Sequence, residues 1–322
     1  MLQLVNLSNY KSDMDLIHNR AECLQVFLQC RRLDGIEMMF CQPWDPLIHR
    51  QEWIHGVHLK FWPCWLDFWR GNQAELLSQM GSRENIAACY GGLDREAWLE
   101  IYRENIRMAN RAGAEYLVFH VSHVRSLETF TGHFSAADRE VIEGTIEVVN
   151  ELAGEIPDET ALLFENLWWP GLTLQDKKLT ALLLESIKHP NVGIMLDTGH
   201  LMNTNPDLRT EEEGVDYILH TLERLGEYSR YIRGIHLHQS LSGQYVVSSK
   251  KQREHDATMT GVMQHVLKID EHLPFTTPSV WRILEYVQPD YLVHEFLQLS
   301  MDAWTEKVSR QQRALGLGRT FE

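Results

Sequence analysis

Cysteine is scarce and badly placed for cross-linking. The chain has five, Cys23, Cys30, Cys41, Cys64 and Cys89, an odd number confined to the first third and free of any CxxC pair. This excludes a disulfide framework and a thiolate zinc site, and it points to a reducing cytoplasm. Long apolar runs are missing too: no segment reaches the roughly 20 residues of a membrane helix, and the amino terminus lacks the basic and apolar regions of an export signal. Blocks of Lys or Arg are also absent. With 30 basic against 45 acidic side chains the net charge is −15, and repulsion of that sign opposes the phosphate neutralisation on which nucleic-acid affinity rests. The expected partner is a small molecule rather than DNA or a membrane, in the cytoplasm, with a homo-oligomer compatible with everything in the composition.

There is no internal repeat and no low-complexity linker, and 322 residues suffice for one large α/β unit. Short apolar runs bounded by turn signals recur with helical patterns between them. Strands are expected at Leu2–Leu7, Gly35–Phe40, Gly56–Phe61, Glu115–His120, Ala161–Glu165, Val192–Asp197, Ile232–His238 and Tyr291–Phe296. Between them, helical periodicity runs from Ser12 through Leu28, from an Asp94 cap to Gly113, from Ser135 to about Gly154, through Leu179–Ile187, over Glu211–Leu225 and Met259–Ile269, after Thr277-Pro278, and from Ser300 onward. Eight strands alternating with helices describe a single (β/α)8 TIM barrel over residues 1–322, with a long insertion after the seventh strand at about 239–277. Aromatic residues crowd one region: Trp44, Trp53, Trp62, Trp65, Phe68 and Trp69 fall within 26 residues. They form either a wall that stacks on a planar ligand or a lid packed on the rim.

The chemistry lies where these strands end. Val192-Gly193-Ile194-Met195-Leu196 runs into Asp197, and His200 follows three residues later. A carboxylate in line with a buried strand is costly unless a cation compensates it or it caps the next helix. The pattern repeats: the fifth strand ends on Glu165, the seventh on His236 and His238, and the eighth on Glu295, while His58 and His120 lie in the third and fourth, with His123 just beyond. Counting His55 and His294, half of the 16 histidines sit in or just past a strand. Parity separates them, because His236 and His238 share a face while His294 and Glu295 must point oppositely. If Glu295 faces the barrel mouth, His294 faces the helices, and His55 lies at the far end. Glu165, Asp197, His236 and Glu295 form a mixed carboxylate and imidazole set suited to Zn, Mn, Co or Fe and too rich in nitrogen for calcium. The competing interpretation is a buried cluster of salt bridges and hydrogen bonds.

Leu163-Phe164-Glu165-Asn166, Met195-Leu196-Asp197-Thr198-Gly199-His200, Gly234-Ile235-His236-Leu237 and His294-Glu295-Phe296 resemble the last four strand motifs of the xylose isomerase-like TIM barrels. That group includes sugar isomerases and epimerases and the AP endonuclease 2, or endonuclease IV, family. The isomerase and epimerase resemblance implies one divalent metal on Glu165, Asp197, His236 and Glu295. Glu165 and Glu295 then exchange a substrate proton through an enediolate, with His200 beside the substrate. The endonuclease resemblance implies further ligands, His58, His120 and His200, and two or three zinc ions that cleave a phosphodiester. That family carries an Asp-x-His in the loop after the seventh strand. Arg253-Glu254-His255-Asp256 occupies this chain's loop, so a complete trinuclear set is not expected. Substrate contacts are expected from His238, Trp62, Trp65, Trp168 and His255. The first expectation is thus a metal-dependent isomerase or epimerase of a sugar, sugar phosphate or polyol, and the second a zinc phosphodiesterase acting on a small molecule.

Overall fold

A computed structural model of the chain describes residues 1–251 and 255–317. Eight parallel strands close into a barrel in sequence order: β1 (Leu2–Ser8), β2 (Gly35–Met39), β3 (Ile54–His58), β4 (Tyr116–His120), β5 (Ala161–Glu165), β6 (Val192–Asp197), β7 (Ile232–Leu237) and β8 (Tyr291–His294). Two apolar layers hold it. Leu4, Tyr116, Val118, Ala161, Leu163, Met195, Tyr291 and Val293 fill the barrel interior, while a larger cluster that includes Ile36, Leu117, Phe164, Ile194 and Ile235 packs between the strands and the helices.

Alternation along each strand carries the interior stripe upward into polar residues. Tyr116 and Val118 precede His120, Ala161 and Leu163 precede Glu165, Met195 precedes Asp197, and Val293 precedes Glu295, all two residues apart and therefore on one face. Register then sets neighbours side by side, pairing His120 with Glu165 and Asp197 with His236. Gly56 has a steric role in this interior, since a Cβ there would lie 2.1 Å from the Tyr116 ring.

The helix over Arg95–Ala112 starts at Asp94, whose carboxylate accepts from the Ala97 amide, and ends at Gly113 with φ +75°. Helices Glu211–Leu225 and Met259–Ile269 lie where periodicity puts them, and Ser300 caps the last helix, Met301–Ala314. Other boundaries differ. The helix expected from Ser12 through Leu28 is two, Lys11–Leu16 and Ala21–Arg31, separated where His18 and Asn19 take φ of 54° and 52°. The Ser135 helix begins at Asp138, where the Glu140 carboxylate accepts from the Ala137 amide. β3 begins at Ile54, two residues early, so the chain leaves the barrel at His58 and Trp65–Arg70 forms a short helix. No helix among the described residues is long and apolar enough to cross a membrane.

Candidate metal centre

At the carboxyl end of the barrel, six imidazoles and five carboxylates converge, most of them inaccessible to solvent. They are His58, His120, His200, His236, His238 and His272 with Glu37, Glu165, Asp197, Asp270 and Glu295. Glu165 lies at the middle. Its Oε2 is 3.0 Å from His58 Nε2, and its Oε1 is 3.1 Å from His120 Nε2, 3.2 Å from His200 Nδ1 and 3.5 Å from His236 Nδ1. On one side, His236 Nδ1 is 3.2 Å from Glu295 Oε2 and 3.9 Å from Asp197 Oδ2. On the other, Asp270 Oδ2 is 3.2 Å from His200 Nε2 and 3.3 Å from His272 Nδ1. His238 bridges the two halves, with Nε2 2.9 Å from Asp197 Oδ2 and Nδ1 3.8 Å from Asp270 Oδ1. Gly199 leaves room for that ring, because a Cβ there would meet its Cε1 at 2.1 Å.

The hydrogen-bond geometry fits divalent cations. Three histidines commit one ring nitrogen to an acceptor: His58 Nδ1 donates to the Leu59 carbonyl, His200 Nδ1 to the Asn166 carbonyl and His236 Nε2 to the Glu37 carboxylate. In the neutral ring the opposite nitrogen then offers a lone pair, and it points at the carboxylates of Glu165, Asp270 and Glu295. Lone pairs facing lone pairs require either protonation or a cation between them, and an imidazole tethered through its other nitrogen is how metal-ligating histidines are held. Glu165 Oε1, Glu295 Oε2, His236 Nδ1, His238 Nδ1 and His120 Nδ1 are buried with no hydrogen-bond partner. Such atoms are expensive in a dry interior, and all five belong to residues of groups whose ligand-capable atoms lie within 4.8 Å of one another. Glu165 Oε1, Glu295 Oε2, His236 Nδ1 and His238 Nδ1 lie within ion-pairing distance of another member of the array yet make no hydrogen bond, an arrangement that a cation between them would satisfy.

The electrostatics agree with the geometry. Burial opposes ionisation of Glu165, but His120 and His236 outweigh it and hold the carboxyl well below its usual range. Burial likewise opposes charge on His236 and His200, yet Glu295 and Glu37 raise the first, and Asp197 and Asp270 the second, well above an ordinary imidazole. Burial pushes Glu295 up to about 8 against the pull of His236, with Asp197 and Glu165 adding to the rise. Protonation of these imidazoles and of Glu295 would compete with metal for the same lone pairs.

A cavity of about 470 Å³ opens over this array, with His58, His120, His200, Asp270, His272 and Glu295 in its floor and Trp62 and Trp168 in its wall. Other expected contacts lie elsewhere. Trp65 is 3 % exposed, stacks on Trp98 at 5.9 Å and donates its indole N–H to the Ser122 carbonyl, so it belongs to the packed rim; Phe68 and Trp69 are buried beside it. His255 stacks on Phe130 at 4.8 Å and does not line the cavity, while Arg253 and Glu254 of the same expected loop motif lie outside the described residues. His238 does not line the cavity and lies among the ligand-capable side chains beneath it. His294 faces the helices and accepts from Gln311 Nε2 at 2.9 Å, as parity requires.

Sequence reasoning missed three members. Asp270-Glu271-His272 is an Asp-x-His after the seventh strand, and it closes the set that Arg253–Asp256 does not supply; it directly follows the Met259–Ile269 helix, so it reads as that helix's end. Glu37 interrupts the apolar run of β2 at an inward position, and an acid there was the available signal.

Residues 69–281 match a family model described as the xylose isomerase-like TIM barrel. Among solved structures, a protein provisionally described as a xylose isomerase from Rhodospirillum rubrum has 14 % identity and a TM-score of 0.58, covering 99 % of this chain and 100 % of that one. D-allulose 3-epimerase from a Methylomonas species has 11 % identity and a TM-score of 0.52, covering 98 % and 93 %. Endonuclease IV from Thermus thermophilus has 17 % identity and a TM-score of 0.49, covering 99 % and 100 %. At these identities the first two, with TM-scores above 0.5, show a shared fold alone. The chain belongs to the xylose isomerase-like TIM barrel family.

Proposed function

We propose that this chain is a multinuclear metal-dependent hydrolase of phosphoester bonds, most simply a phosphodiesterase acting on a small molecule. The observation that carries the reading is the completion of the array by Asp270 and His272. His58, His120 and Glu165 would hold one divalent ion; Glu165, Asp197, His236 and Glu295 a second; His238, Asp270 and His272 a third, with His200 beside Asp270. Bound there, such ions lower the pKa of water and neutralise charge developing on a phosphoryl group. The chain's own contribution is orientation and exclusion of solvent. Glu37 and the Leu59 and Asn166 carbonyls fix ring tautomers, and Phe61 and Trp168 pack against His120 and His200 at 4.7 and 5.0 Å.

The second reading, isomerase or epimerase chemistry with Glu165 and Glu295 as the acid–base pair, rests on the four-residue group Glu165, Asp197, His236 and Glu295. It leaves Asp270 and His272 without a task. Protein loaded with Zn²⁺ or Mn²⁺ is expected to hydrolyse bis(4-nitrophenyl) phosphate, and Asp270→Asn and His120→Ala to lose that activity. Loaded protein that leaves the ester intact but exchanges solvent deuterium into a ketose, with the exchange lost in Glu295→Gln, would reverse the order of the two readings.

A further inference from the structure

The cavity above the array has walls unlike its floor. Phe61, Trp62, Trp168, Val262, Met263 and Val266 face it, and Phe61, Trp168 and Val266 pack on the buried cluster of Val124, Leu167 and Trp169. Apart from the Ser126 hydroxyl, its polar wall side chains already have partners. Arg125 is the one Arg or Lys among the described lining residues, and its guanidinium is held by Asp67 at 2.7 and 2.8 Å and by Glu75 at 3.4 Å. Gln79 donates to Glu75 and accepts from the Ser126 amide, and the Thr129 hydroxyl donates to the Ser126 carbonyl. A sugar or polyol body would have to bury several hydroxyls against a wall that offers little beyond the Ser126 hydroxyl to pair them, and a site that leaves hydroxyls unpaired selects against such a body. A second anionic group on the body would meet no free cation.

We propose that the substrate pairs a single oxyanionic head, seated on the histidine and carboxylate floor, with an aromatic or branched apolar body that fills the cavity. This inference rests on the phosphoester reading and narrows its substrate class to aryl or alkyl phosphoesters, in place of sugar phosphates.

The test uses the metal-loaded full chain and three probes, inorganic phosphate, glycerol 1-phosphate and 1-naphthyl phosphate, followed by calorimetry. The naphthyl ester is expected to bind at least tenfold more tightly than the glycerol ester, which is about 1.4 kcal/mol and the worth of roughly two buried methylene groups. In Val262→Asn and Val266→Asn that ratio should shrink severalfold while affinity for inorganic phosphate is unchanged; either variant alone suffices if the other fails to fold. Equal affinity for the two esters, or a ratio untouched in both variants, overturns the apolar-body inference and leaves the phosphoester reading standing. If neither inorganic phosphate nor any ester binds the loaded protein, the phosphoester reading itself fails and takes this inference with it.

Discussion

Replacing Glu37 by Gln should weaken metal binding without unfolding the barrel. Glu37 is 2 % exposed and accepts from His236 Nε2 at 3.0 Å and from the Tyr116 hydroxyl at 2.8 Å. Gln keeps the shape and one acceptor oxygen but turns a charge-assisted hydrogen bond into a neutral one, a loss of about 1–1.5 kcal/mol. Loss of a carboxylate behind a ligating histidine typically costs about 10–100-fold in metal affinity. Competition against a chromophoric chelator should show that fall for one class of site only, the one His236 serves, and hydrolysis should recover as metal is raised. Glu37→Ala is the contrast: it strands the buried Tyr116 hydroxyl and should cost a further ~1–3 kcal/mol of stability in melts. A folded Glu37→Gln protein with unchanged affinity at every site would refute the role assigned to this carboxylate.

Other perturbations probe the same centre. Gly199→Ala places a methyl group on the His238 ring, so it should lower metal content while Asp94→Ala, which removes only a helix cap, costs about 1 kcal/mol and leaves metal content unchanged; elemental analysis beside melting separates them. Metal loading at pH 7 should release protons, because Glu295 is pushed up to about 8 and His200 and His236 are raised. Calorimetry in buffers of different ionisation enthalpy measures this, and a buffer-independent heat would contradict it. For the metal-free protein the sign follows from the same shifts. The folded values of Glu295, His200 and His236 lie above their unfolded ones, so the stability they contribute is present at lower pH. It is lost as pH rises through about 8 for Glu295 and through the raised imidazole values for the histidines. Melts of metal-free protein should weaken toward alkaline pH, and those of loaded protein should not.

The barrel could be read from short apolar runs because parallel strands covered on both faces leave that trace in the chain. The floor of the site followed from the same runs, since Glu165, Asp197 and His120 end strands and need only alternation to place them. Loops carry no such periodicity. Asp270 and His272 come to His200 through the fold of the long excursion after β7, and only its closure over the mouth distinguishes them from His255 and Asp256. Trp62 and Trp65 are three residues apart in one aromatic-rich stretch, yet one lines the cavity and the other is sealed under the rim by its hydrogen bond to Ser122. Composition cannot separate a wall from its backing. Glu37 was legible in principle, as a single acid at an inward position of an otherwise apolar strand.

The most direct test of the central claim is the number of divalent ions per chain, measured by elemental analysis on protein purified without chelator and without an affinity metal. The arrangement of Glu165 between two groups of ligands, with Asp270 and His272 completing a third, predicts roughly three, falling by one in Asp270→Asn. A single ion per chain, held equally well by Asp270→Asn and His120→Ala, would contradict the multinuclear account and favour the isomerase reading.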